Sequence, residues 1–311
     1  MIFPLSDRVK AHLAIIVANI LFGINYSAAK HVMPGYIMPD GFTLLRIVSA
    51  AALFWLTSIF FKREKVARVD YLRLFMASVF GVVLNQLLFL KGLNYTTPID
   101  SSIIMTVNPV LVLVISALIL RDAITSTKLM GIAVGASGAI LLIVQSGDVS
   151  FAGEHFAGNV MTFFNALFYA FYLVLIKPLM MRYSPITVMR WVFTFGLIMI
   201  LPVGFTSLSS VHWAVMPGMA WGAIVFVLVG PTYLAYLLNS KGLQYLKPAT
   251  VSIYIYSQPI IASLVSVWLG QDSITFVKVI STLLVFIGVY LVSGSGDVVK
   301  RSFRLLVDRT R

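Results

Sequence analysis

Cysteine is absent from all 311 residues. That excludes disulfides, thiolate metal sites and cysteine nucleophiles. Charge is scarce as well. Asp, Glu, Lys and Arg make up 11% of the chain, less than half the usual share of a soluble domain, against 59% hydrophobic residues. A soluble fold of this length has too much polar surface to cover with so few charges, whereas lipid solvates apolar side chains directly. The mean hydropathy of +0.96 agrees. Reactive motifs are missing too: no HExxH, GxSxG or Walker pattern occurs, and His12, His31, His155 and His212 are far apart in sequence. The chain reads as an integral membrane protein and not as an enzyme, with no cofactor and no metal site expected.

What is present is a series of long apolar runs. A span needs ~20 apolar residues. Ten runs meet that need: 11–33, 40–61, 69–91, 97–120, 127–145, 156–181, 185–206, 216–241, 248–270 and 275–294. The first is too long for the apolar region of a cleaved signal peptide, so it counts as a span. The net charge of +12 does not call for nucleic acid, because the basic residues sit in short loops. With the N-terminus inside, every Lys and Arg except Lys30, Arg46, Lys91 and Lys278 falls on the cytoplasmic side, and the opposite orientation reverses that bias. An even number of spans then also places the basic tail KRSFRLLVDRTR inside, within reach of anionic headgroups. The expected fold is all-α, with ten transmembrane helices and both termini cytoplasmic, multi-pass in the cell (inner) membrane. Its partners are the lipid bilayer and a small-molecule substrate. Oligomeric state is not legible.

The chain repeats itself. KGLNYTTPIDSSIIMTVNPV at 91–110 returns as KGLQYLKPATVSIYIYSQPI at 241–260, an offset of 150. LRDAITSTK at 120–128 returns as GQDSITFVK at 270–278, and NILFGINYSAAK at 19–30 echoes NALFYAFYLVLIK at 165–177. FTLLR at 42–46 likewise echoes ITVMR at 186–190. The chain therefore divides into two five-span units, 1–150 and 151–311. Five is odd, so the second unit enters from the other side and is inverted relative to the first. Inverted repeats place a substrate site near the midplane, where the halves meet.

These residues resemble the drug/metabolite transporter superfamily, specifically its ten-span EamA-type permeases. The likeness rests on FGINYSAAK with FTLLR, GLNYTTP with NPV, and D-x-I-T before a Gly-rich span, the same order returning from GNVMTFFNALFYAFY onward. The resemblance implies a pathway lined by spans 1, 3, 4, 6, 8 and 9, with spans 5 and 10 peripheral. It also implies export or exchange of small metabolites such as amino acids by alternating access. The family's frequent Glu after spans 4 and 9 is Asp122 and Asp272 here, and Gly131 of span 5 is matched by Ser281.

Polar, uncharged residues cluster in the same six spans. Candidate pathway residues are Asn25 and Tyr26 of span 1, Asn85 and Gln86 of span 3, and Ser102, Thr106 and Asn108 of span 4. Span 6 adds Tyr169 and Tyr172, span 8 adds Tyr236 and Asn239, and span 9 adds Tyr254, Tyr256, Ser257 and Gln258. Polar side chains avoid lipid, so they face either a wet cavity or one another as interhelical glue. Tyr254, Ser257 and Gln258 would share one face of a regular helix. Pro109 and Pro259 stand mid-span, where each removes a backbone hydrogen bond and bends the helix, as a gate or as a static kink. Lys30 and Arg46 flank the outer end of the first hairpin, where they either snorkel to headgroups or form an electrostatic mouth for a carboxylate. Asp100 lies three residues into the fourth span. It either complements the start of a helix or joins a proton-linked pathway. Asp122 and Asp272 read as caps or loop ties.

Overall fold

The computed structural model describes residues 6–62, 64–120, 126–145 and 153–292. Asp122 and the basic tail lie outside the described residues. Within them the chain forms ten helical runs: α1 Asp7–Val32, α2 Pro39–Ser58, α3 Arg68–Tyr95, α4 Pro98–Ile119, α5 Ser126–Gln145, α6 Glu154–Met180, α7 Pro185–Ser209, α8 Gly218–Tyr245, α9 Pro248–Trp268 and α10 Phe276–Val292. No strand occurs among the described residues. α1–α4 and α6–α9 are each long and apolar enough to cross a membrane. α5 and α10 stand where the fifth and tenth spans are expected.

Local chemistry sets the helix starts. Ser6, Thr97 and Ser184 accept hydrogen bonds from Val9 N, Asp100 N and Thr187 N, satisfying first-turn donors of α1, α4 and α7. Pro39, Pro98, Pro185 and Pro248 occupy first turns, where a missing N–H is harmless.

The main helix pairs cross between the halves, and each has a mate. α1 packs on α8 as α6 packs on α3; α1 packs on α9 as α6 packs on α4; α2 packs on α7 and α5 on α10. Close approach is bought with small residues, as in other membrane bundles. A Cβ on Gly288 of α10 would lie 2.4 Å from Gly135 N of α5. The C-terminal end of α1 and the N-terminal end of α6 both meet the α3–α4 corner, through Lys30 to Thr96 and His155 to Asp100. α1 and α6 thus run in opposite directions.

Four helices are irregular, again in mated pairs. α3 contains a π-helical segment, Val79–Leu84, and α8 contains another, Leu228–Leu234, about 150 residues on. π-helical turns inside α-helices gather at functional sites. α4 and α9 break just before Pro109 and Pro259. In α4, Thr106 N and Val107 N bond back only three residues, to Ile103 O and Ile104 O. In α9, Tyr254–Ser257 is a 3₁₀ turn. Such a turn advances ~20° more per residue than an α-helix. Tyr254 and Ser257 therefore eclipse, and Gln258 turns off the face that the three were expected to share.

Candidate functional site

Beside the irregular segments, inside the bundle, lies a cavity with about 50 Å³ open to water, room for a few solvent molecules. α1 contributes Phe22, Asn25 and Tyr26, and α3 contributes Asn85, Gln86 and Phe89. Asn165 and Tyr169 come from α6, Tyr236 from α8, Met105 from α4 and Gln258 from α9. The last lining residue is Arg46 of α2. Six residues or more separate Tyr26, Arg46 and Met105 from the nearest ends of their helices. At ~1.5 Å rise per residue, that is ~9 Å of depth.

A hydrogen-bond network fixes the walls. Tyr236 Oη lies 2.9 Å from Gly81 O, a carbonyl of the π-helical segment of α3, and 3.2 Å from Asn85 Oδ1. Asn85 and Asn165 exchange amide-to-carbonyl bonds, binding α3 to α6. Tyr26 donates to Gln258 Oε1 at 3.1 Å, and Gln258 donates to Asn19 Oδ1 at 2.8 Å, binding α1 to α9. Gly81 is small because Tyr172 lies on it: an added Cβ would sit 2.0 Å from Tyr172 Cδ2. Tyr172 in turn stacks on Tyr169.

Of the residues singled out from sequence, Asn25, Tyr26, Asn85, Gln86, Tyr169, Tyr236 and Gln258 converge on this cavity. The other candidate pathway residues are not among its lining. Asn239 supports it from behind, donating to Tyr169 Oη at 2.8 Å. Ser102 and Thr106 return their hydroxyls to Ile99 O and Ile103 O of their own helix. Asn108 donates to Ala166 O, tying α4 to α6 at the proline break. Tyr254 pairs with His12 Nδ1 at 2.6 Å, Ser257 bonds Tyr254 O, and Tyr256 packs against Phe286 of α10.

Lys30 and Arg46 are both tied inside the bundle. Lys30 donates to Leu93 O, Asn94 O and Thr96 O at 2.8–2.9 Å, capping the end of α3. Lys177 of α6 makes the mated cap on α8 through Leu243 O and Gln244 O. A long cation beside free helix-end carbonyls finds better partners there than in headgroups. Arg46 is 2% exposed, and its Nε donates to Thr232 Oγ1 at 2.9 Å.

Ionic ties close both ends of the bundle, and their partners are too far apart in sequence to be paired by reading it. At the Lys30 end, Asp100 Oδ2 lies 2.9 Å from His155 Nε2, and Lys278 Nζ lies 3.3 Å from Asp100 Oδ1 and 2.6 Å from Asp272 Oδ1. The free N–H groups of α4 are met by Thr97 and Asp272, so the Asp100 carboxylate turns to this cluster instead. Asp272 ties the α9–α10 loop to α4, as a loop tie should. At the other end, Asp70 holds Arg182 and Tyr183 at 2.9–3.2 Å. Glu64 accepts from Ser184 N and Oγ. Burial opposes the charged form of Glu64, but hydrogen bonds from Ser184 and Thr187 and the charge of Arg190 outweigh it and hold the carboxyl below its usual range.

Paired helices crossing between two halves, with a pocket of polar and aromatic side chains where they meet, define a polytopic helical membrane protein. The chain belongs to the EamA-like transporter family, which it matches twice, over residues 9–144 and 156–294. It is 27% identical over 286 residues to the uncharacterized transporter YyaM of Bacillus subtilis, covering 89% of this chain and 91% of that one. It is 26% identical to the uncharacterized inner membrane transporter YicL of Salmonella typhimurium, covering 91% and 95%. A solved structure described only as a crystal structure of a protein superposes with a TM-score of 0.65 at 17% identity, over 92% of this chain and 97% of the other, a likeness of fold alone.

Proposed function

We propose that this transporter is a secondary exporter or facilitator of small amphipathic metabolites, such as amino acids, in the cell (inner) membrane. Ten spans form two inverted five-span repeats with both termini cytoplasmic. The halves rock about the cavity, exposing it to one side and then the other. The observation that carries this reading is the cavity itself, which lies between mated helices of both halves, with ionic ties at each end. Alternating access needs one such tie to part while the other holds. At about 50 Å³ the cavity is too tight for a metabolite, so its walls must move on loading. The breaks before Pro109 and Pro259 are the places for that bend.

A second reading, a proton-coupled exporter, is favoured by one feature: an imidazole–carboxylate contact, His155 with Asp100, sits in the tie at one end. Purified protein in proteoliposomes, given a labelled amino-acid panel with and without a pH gradient, tests both. Saturable flux for some member is expected. Flux that dissipates the gradient selects the second reading, and no flux for any member counts against the first.

A further inference from the structure

We infer that the cavity recognises a small monoanion, a carboxylate carried on an apolar or hydroxylated body, with Arg46 as its counter-ion. This rests on reading the cavity as the substrate site. Arg46 is 2% exposed, yet no acidic side chain lines the cavity beside it. A buried guanidinium without a carboxylate is held at a cost of several kcal/mol, which a bound anion removes. Its orientation is fixed from behind. The Thr232 hydroxyl donates to Val227 O at 2.6 Å, a bond across the π-helical turn, and so its oxygen is left to accept from Arg46 Nε. Nη1 has no hydrogen-bond partner among the described residues. The ring of Phe89, 5.8 Å away, offers only a weak cation–π contact.

The mated arginine shows what a protein-satisfied cation looks like in this fold. Arg190 lies 4.6 Å from the Trp55 ring and 5.7 Å from the Trp191 ring, donates to Ser58 Oγ at 3.4 Å, and feels the charge of Glu64. Its Nε is also unpaired, but its guanidinium carbon lies over two indole rings. Arg46 has neither two rings nor an acid; it has a cavity. A guanidinium meets a carboxylate with two parallel N–H donors, so a planar anion suits it. Asn25 Oδ1 and Gln86 Oε1 are unpaired acceptors on the same walls. They suit a hydroxyl on the guest and carry no charge to balance an ammonium. The cavity therefore prefers a monocarboxylate or hydroxy acid over the matching amino acid, and the amino acid over the matching amine.

The test uses the full chain in detergent at constant ionic strength. Its melting midpoint is followed against 3-phenyllactate, phenylalanine and phenethylamine, and against lactate and alanine. Ligand that binds only the folded state raises the midpoint. The expected order is acid, then zwitterion, with half-saturation at least about tenfold apart, equivalent to ~1.4 kcal/mol, and no effect of the amine. Arg46→Gln abolishes the response and Arg46→Lys weakens it about tenfold. An amine that stabilises as well as the acid overturns the proposal. So does an Arg46→Gln protein with unchanged half-saturation, or no response to either acid. If Arg46→Gln does not fold, the acid–amine contrast on the unaltered protein decides alone. Liposome flux separates this from the transport reading. Acid binding without flux sinks transport and leaves the anion site; amine flux indifferent to Arg46→Gln sinks the anion site and leaves transport.

Discussion

Removing the Lys278 ammonium is expected to unfasten one end of the molecule. Lys278→Met keeps the length of the side chain and deletes its charge. The two carboxylates it serves are 4% exposed, and its own side chain is 11% exposed. At the observed 2.6 and 3.3 Å, an effective dielectric of ~20 gives attractions of roughly 6 and 5 kcal/mol. Desolvation of three charges offsets most of that in the intact protein. In the variant the desolvation of Asp100 and Asp272 remains while the compensation is gone, so the net loss is ~3–5 kcal/mol. His155 lies 2.9 Å from Asp100 but is bonded to Thr96 as well, and it does not reach Asp272 in the observed contacts. Stability in detergent, measured by titration with a denaturing surfactant, reads the loss. Adding Asp100→Asn to Lys278→Met should restore part of it, because one stranded carboxylate becomes neutral, whereas Asp100→Asn alone should destabilise. A double-mutant cycle with a coupling below ~0.5 kcal/mol would refute the reasoning, because groups in direct contact should not act independently.

Three other outcomes are expected. Gly81→Ala drives a methyl group into the Tyr172 ring, 2.0 Å from Cδ2; overpacking costs ~1–3 kcal/mol, and shifting Tyr172 against Tyr169 should lower flux more than it lowers expression. Lys30→Met and Lys177→Met each strip the cap from one helix end. At ~1.5–3 kcal/mol per charged hydrogen bond, both should lower the unfolding midpoint by comparable amounts, and a silent Lys30→Met would argue that the ammonium belongs to lipid. Glu64 titrates below its usual range when folded. Its stabilising contribution is complete above the unfolded value near ~4.3 and disappears as pH falls through the folded value. Glu64→Gln should flatten the acid limb of stability against pH, and an identical limb would remove Glu64 from the tie.

The bundle's plan was legible because it depends on composition and period. Lipid demands long apolar runs, and runs, charge bias and the 150-residue echo are one-dimensional signals. Helix starts followed from Ser, Thr and Pro placed where first-turn N–H groups need them. Asn25, Tyr26, Asn85, Gln86, Tyr169, Tyr236 and Gln258 could be picked out because an uncharged polar side chain within an apolar span needs a partner inside the bundle. Sequence could not divide cavity from glue. Ser102, Thr106 and Asn108 satisfy themselves on nearby carbonyls, a choice made by rotamer and local backbone. Thr232 had no distinguishing signal at all. The π-helical segments of α3 and α8 carry none that one sequence offers, although Pro231 within the second hints at a strained turn.

Sequence by itself determined that the chain enters a bilayer and that its halves are related, because transfer energy and duplication are written along the chain. Only the tertiary structure decided what the charges do. Lys30 and Lys177 were drawn onto helix-end carbonyls. Asp100, His155, Asp272 and Lys278 were gathered from three separate stretches, and two mated arginines parted ways. Arg190 was covered by tryptophan, and Arg46 was left facing a cavity. A charge's role depends on what lies within a few ångströms of it, and in this bundle most of those neighbours lie more than fifty residues away along the chain, for Arg46, Asp100 and Lys278 in its other half.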